Sequence, residues 1–130
     1  MILTIRTDKP EAEIGLFEEG TELAYETWQA HRQLAETINK KIDALLTAQG
    51  GTLGDLTGIV VYNGPGSFTG LRIGVSVANA LANGLNIPVF GAGGDNWLRD
   101  GVVSLQNGSG GIVVVPEYGS PANITKPKRR

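Results

Sequence analysis

The sequence predicts an α/β domain, ordered β-β-β-α-β-α-β and closed by a short C-terminal β-hairpin. Three observations predict it. Residues 1–7 alternate apolar and polar side chains, and with two further strand-like runs before residue 29 they read as an antiparallel meander with one polar face. Residues 30–49 carry apolar side chains at helical spacing instead. Two almost wholly apolar runs then bracket a glycine-rich turn and a second helical stretch, the pattern of parallel strands joined by a crossover helix.

Each element follows in order. Residues 1–7 (MILTIRT) and 12–17 (AEIGLF) read as strands, Glu18-Glu19-Gly20 as a turn, and 21–28 as the returning third strand. In the first helix, Leu34, Ile38, Ile42, Leu45 and Leu46 fall on one face, and Gly50-Gly51 ends it. Residues 52–57 connect to GIVVY, 58–62, a strand buried on both faces. A second helix is expected over 67–84 and another buried strand over 87–91. After Gly91 the pattern weakens. GGDNWLRDG reads as a single helical turn, and Val102 to Leu105 and Ile112 to Val115 as a hairpin around QNGSGG. An extended tail is expected from Pro116. The division is into 1–98 and a reduced 99–130.

Composition narrows the chemistry. A chain of 130 residues, 41% hydrophobic, is one domain able to bury a core without staples. With no cysteine, disulfides and cysteine-based metal centres are excluded, and the lone His31 rules out a multi-histidine site. No apolar run approaches the ~20 residues of a membrane span. MILTIRTD lacks the basic start and cleavage site of a signal peptide, so a cytoplasmic protein is expected. The net charge of −2 hides an asymmetry, because Lys126, Lys128, Arg129 and Arg130 hold four of the 11 basic residues. Without them, 7 basic residues face 13 acidic ones, which argues against direct binding to duplex nucleic acid. The tail itself is either solvated or a phosphate contact.

Glycine is the odd component: 19 residues, of which only Gly15 and Gly20 precede residue 50. The segment 63–74, NGPGSFTGLRIG, joins a buried strand to a helix N-terminus, a place where free backbone N–H groups suit an anion. It is not a phosphate-binding Walker loop, since Leu71 stands where the lysine would be. Nor is it the dinucleotide fingerprint, because Gly64 to Gly70 holds one residue too many. A tight strand-to-helix turn and a generic phosphate site both remain open.

The helix after the loop is apolar on most of its girth. Gly70, Gly74 and Ala78 form a small-residue stripe with Ile73, Val77 and Leu81 beside it, while Leu71, Val75, Ala82 and Leu85 lie on another face. One face packs on the sheet, and the other needs the first helix or another chain. A helix-mediated protein interface is expected. No nucleophile–base pair stands out. Asp8 follows the first strand, where a metal-binding carboxylate is common in phosphotransferases, but Arg6 occupies the strand end. Glu18, Glu19 and Glu22 read as a solvated hairpin, and Trp28 and Trp97 as core or interface anchors.

NGPGSFTGLRIG, preceded by DLTGIVV and followed by ANALANGLNIPVFG, closely resembles the bacterial TsaB family, with Gly64 to Gly74 matching its signature without a gap. His31 and Leu34 match the start of the family's first helix, and PEYGSPANITKP its closing segment. The resemblance implies a ribonuclease-H-like half of the actin/Hsp70-type ATPase fold, with a mixed five-stranded sheet. It implies a non-catalytic subunit, without a cofactor, in the synthesis of N6-threonylcarbamoyladenosine beside the anticodon of tRNA. The implied partners are TsaD, bound through the two helices, and through it TsaE. Alone, the chain is expected to form a homodimer on the same surface, which would otherwise leave an apolar patch in water. The interface residues are then Leu34, Thr37, Ile38, Lys41, Gly70, Ile73, Gly74, Val77, Ala78 and Leu81. The signature loop is Gly64, Pro65, Gly66, Ser67, Phe68, Thr69, Gly70 and Arg72, and Lys126, Lys128, Arg129 and Arg130 are candidate tRNA contacts. Two departures stand out. Arg6 replaces the family's acid in the first strand, and most of a C-terminal subdomain has no counterpart. The alternative is a small nucleotide- or phosphate-binding enzyme using Gly64 to Gly70.

Overall fold

A computed structural model describes residues 1–66 and 68–117, without the side chains of His31 and Phe68. The strands are β1 (Ile2–Arg6), β2 (Glu11–Glu18), β3 (Thr21–Gln29), β4 (Gly58–Gly64) and β5 (Val89–Gly93). The helices are α1 (Leu34–Ala48), α2 (Phe68–Leu85) and α3 (Trp97–Gln106). One sheet holds all five strands in the order β3-β2-β1-β4-β5. The β1–β2 and β2–β3 pairs are antiparallel, and β1–β4 and β4–β5 are parallel.

Register explains the two cores. Leu3 pairs with Leu16 and Ile59, and Ile59 with Val89, so one apolar row crosses four strands. Ile14, Ile5 and Val61 form the next row on that face. Against them pack Ile38, Ile42 and Leu46 of α1 and Val75, Ala78 and Ala82 of α2. Each helix presents one side because its apolar residues recur every three or four positions. On the opposite face, Ile2, Phe17, Val60 and Tyr62 meet Trp97 and Val102 of α3. Helix α1 ends as expected: Gly50 takes φ +73°, and the Gly51 N–H reaches back to the Leu46 carbonyl at 2.9 Å.

The expected C-terminal hairpin is absent among the described residues. Val102 to Leu105 lie in the second half of α3, which also runs through residues 98 and 99. Trp97, Val102 and Leu105 fall on one helical face and pack on β4 and β5. Gly101 lets the helix approach, since a Cβ there would collide with Cγ1 of Val60. Tertiary packing thus overrides the strand preference of two adjacent valines. The expected second strand is instead an extended strap, residues 111–117, joined to β5 by a bridge between Gly111 and Val89.

Candidate functional site: a filled strand-end crevice and an open helix face

Two places carried functional expectations, and the fold separates them. The first is the crevice where β1 and β4 end side by side, below the loop leading into α2. Arg6 closes β1 there. Its Nε donates to Oδ1 of Asp8 at 2.7 Å and its Nη2 to Oδ2 at 3.2 Å, a bidentate pair. The guanidinium also lies 3.9 Å from the ring centroid of Tyr62, which meets Trp97 edge-on at 5.8 Å. Burial opposes the charge on Arg6, but the hydrogen bonds and charge of Asp8 outweigh it and hold the group above its ordinary pKa. Beside it, Tyr25 Oη donates to Glu13 at 2.6 Å and Lys9 donates to the same carboxylate at 3.0 Å. Burial would raise the Glu13 carboxyl, yet these two donors and the Arg6 charge hold it below the usual range. Burial, with the Glu13 carboxylate, pushes the Tyr25 phenol well above its usual value.

The signature loop closes over this pair. Gly64 takes φ +136°, the Gly64–Pro65 bond is cis, and Tyr62 Oη donates to the Pro65 carbonyl at 2.7 Å. Gly66 sits so close to Asp8 that a Cβ would lie 2.6 Å from the aspartate Cβ. The loop therefore faces a carboxylate, which repels a phosphate, and the adjacent cation is already bound to that carboxylate. No group of three or more metal-binding side chains occurs among the described residues.

The second place is the pair α1–α2, and here the expected interface residues divide. Leu34, Ile38, Gly74 and Ala78 are buried within the chain. The small-residue stripe receives the end of β1, not another protein. Gly70 lies against the Thr7 carbonyl and Gly74 against Thr7 Oγ1, both too close to admit a Cβ. Thr7 Oγ1 in turn donates to the Gly70 carbonyl at 2.7 Å. Thr37 and Lys41 are engaged with β3: Trp28 Nε1 donates to Thr37 Oγ1 at 3.2 Å, and Lys41 donates to Glu26 at 2.8 Å. Each role suits its residue, but none of these six residues forms the open face of the helix pair, nor does Gly70.

Ile73, Val77 and Leu81 remain half-buried at the surface. They line a shallow groove along α2, continued by Ala35 and Asn39 of α1 and by Ser76 and Ala80. Its two sections measure about 320 and 330 Å³. Thr69 and Arg72 of the signature reach its upper end. Sequence reasoning missed Ala35, Asn39, Ser76 and Ala80, although Ser76 and Ala80 share one exposed edge of α2 at a spacing of four. Ser67 and the basic residues Lys126, Lys128, Arg129 and Arg130 lie outside the described residues.

A family profile described as "TsaD: tRNA N6-adenosine threonylcarbamoyltransferase" matches residues 28–92, half of the chain. The chain belongs to this family. Within it, the chain resembles bacterial TsaB. It is 34% identical over 90 residues to the tRNA threonylcarbamoyladenosine biosynthesis protein TsaB of Escherichia coli, covering 69% of this chain and 38% of the relative. Against TsaB of Bacillus subtilis the identity is 60% over 35 residues, 27% of this chain and 15% of that protein. The solved structure of YeaZ from Pseudomonas aeruginosa superposes with a TM-score of 0.66 at 29% identity, covering 71% of this chain and 43% of that one. The TsaB-like fold is thus the ribonuclease-H-like half of the actin/Hsp70-type ATPases. The chain spans less than half the length of these relatives. No helix among the described residues is long and apolar enough to cross a membrane.

Proposed function

We propose that this TsaB-like chain is a non-catalytic scaffold subunit in the synthesis of N6-threonylcarbamoyladenosine in tRNA. Its partner is a TsaD-type transferase, bound on the outward side of α1 and α2. The observation that carries the reading is the groove of Ile73, Val77 and Leu81: a half-exposed apolar strip on α2 beside α1, left over once the sheet-facing sides of both helices are packed. The non-catalytic part is supported by the strand end, where Arg6 and Asp8 neutralise each other beneath the loop. An acid free to hold a metal ion is what phosphoryl transfer would need there. TsaE joins through the transferase. Alone, the chain pairs with itself on the same strip. tRNA is met through the partner or through the basic tail.

Mixing the chain with a TsaD-type subunit should give a heterodimer by size-exclusion chromatography with light scattering. Val77→Arg should abolish it, because an unpaired charge would be buried in an apolar contact. A complex untouched by Val77→Arg would refute the helix-face reading. Saturable micromolar binding of ATP by calorimetry, lost in Gly66→Val, would favour the phosphate-site alternative instead.

A further inference from the structure

Three Asn-Gly pairs occur in the sequence, at 63–64, 83–84 and 107–108. Each is chemically labile for the same reason. Glycine has no Cβ to shield its amide nitrogen, and that nitrogen can attack the side-chain carbonyl carbon of the preceding asparagine. Attack requires the peptide between the two residues to swing toward the side chain, so the fold decides which pair can react.

Asn63 is locked. Its Nδ2 donates to the Val115 carbonyl at 3.2 Å, and its own carbonyl accepts the Glu117 N–H at 2.6 Å. Gly64 is buried at the end of β4, opposite Gly93 of β5. Asn83 and Gly84 are exposed but lie in the last turn of α2. The Asn83 carbonyl accepts the Asn86 N–H at 3.3 Å, and swinging its peptide would unwind that turn. Asn107 differs on each point. It is exposed together with Gly108 and Ser109, and its ψ of 8° has already left the helical range. No described residue bonds its side-chain amide or its carbonyl. A Cβ at Gly108 would meet nothing within 4 Å, and among the described residues its N–H is held by the Leu105 carbonyl alone, at 3.0 Å, at the fraying end of α3.

We propose that Asn107 is a site of spontaneous modification, the pair at which the folded chain deamidates, and that conversion unfastens the corner joining α3 to the strap. The Gly108 nitrogen gives its proton to water and bonds to Cγ of Asn107. The Cγ–Nδ2 bond breaks, and Nδ2 leaves as ammonia with a proton returned from water. The cyclic imide takes up one water molecule and opens to aspartate or, with the main chain rerouted through Cβ and Cγ, to isoaspartate. No electrons are transferred. Either product places a carboxylate at the C-terminal end of α3, where the last carbonyls already carry negative dipole charge and the last turn holds no basic residue. Isoaspartate also adds a backbone atom between the amides of residues 107 and 108. The Gly108 N–H then loses register with the Leu105 carbonyl, and the Ser109 N–H with the Ser104 carbonyl, now 2.9 Å away. Beyond the corner the strap is held independently, because Asn79 pairs with the N–H and the carbonyl of Val114 at 2.8 and 2.9 Å.

Peptide mapping by mass spectrometry tests the proposal on the full chain aged at mildly alkaline pH, folded or in urea. In the folded chain Asn107 should convert roughly tenfold or more faster than Asn63 and Asn83, a ratio set by the local opening those two require. In urea the three rates should converge. Asn107→Gln, a change of an exposed side chain, should remove the early release of ammonia. In the aged chain the Ser109 amide should exchange roughly tenfold faster than in the fresh one, with the Val114 amide unchanged. Asn63 or Asn83 converting as fast as Asn107 in the folded chain would overturn the assignment, as would undiminished early ammonia from Asn107→Gln. Unaltered exchange at Ser109 after conversion would overturn the unfastening.

Discussion

Two glycines of one helix should answer oppositely to the same substitution. Helix propensity favours Gly→Ala anywhere in α2 by up to ~1 kcal/mol. At Gly84 nothing lies within 4 Å of an added Cβ, so Gly84→Ala should stabilise the chain by up to that amount. At Gly70 the added Cβ would collide with the Thr7 carbonyl, a backbone atom that moves only if β1 and α2 separate. Such overpacking costs about 1–3 kcal/mol. Separation would also stretch the 2.7 Å bond from Thr7 Oγ1 to the Gly70 carbonyl, at a cost of about 1 kcal/mol. Set against the propensity gain, Gly70→Ala should destabilise by about 2 kcal/mol, lowering the melting temperature by about 8 °C. Urea unfolding followed by the fluorescence of Trp28 and Trp97 reads both variants. A neutral or stabilised Gly70→Ala would refute the close seating of α2 on the end of β1. It would also return the glycine stripe to the list of partner contacts.

Removing the cation beneath the loop, Arg6→Ala, leaves the Asp8 carboxylate unpaired at 8% side-chain exposure. A loss of about 3 kcal/mol in urea unfolding at pH 7 is expected, whereas a loss below about 1 kcal/mol would mean the pair is solvated. Glu13 gives a pH dependence of defined sign. Its carboxyl sits below the ordinary 4.5, so its contribution is full above that pH and is lost as pH falls through the lowered value. Glu13→Gln should flatten the acid limb of a stability–pH curve, and an unchanged limb would contradict the assignment. Gly101→Ala should destabilise by about 1–3 kcal/mol, because its Cβ would strike Val60; a neutral effect would mean that α3 does not pack on β4.

These sites also mark where the sequence was readable. The strands of the sheet and the helices α1 and α2 follow from local periodicity, since Leu3 with Ile5 and Ile38 with Ile42 each declare a period within a few residues. Helix α3 was readable only as the single turn within GGDNWLRDG; its continuation through Val102 to Leu105 was not. Gly101 and two valines argue locally against a helix, and the residue that decides the matter, Val60, is 41 positions away. The glycine stripe of α2 was legible as a close approach, but not what approaches it, because Thr7 comes from the start of the chain. The same holds for Asn79 on Val114 and for Tyr62 beneath Arg6: each joins segments whose proximity only the folded sheet creates. Arg6 itself was legible as an obstacle to metal binding, and the structure adds that Asp8 is the group it neutralises.

The central claim is that the outer side of α1 and α2, and not the strand-end crevice, is where this chain meets its partner. Hydrogen exchange of the chain alone and with a TsaD-type subunit tests it directly. The account predicts slowed exchange over residues 35–39 and 72–81, with residues 6–10 and 62–66 unchanged. Slowed exchange confined to 6–10 and 62–66, with the helices unaffected, would contradict it.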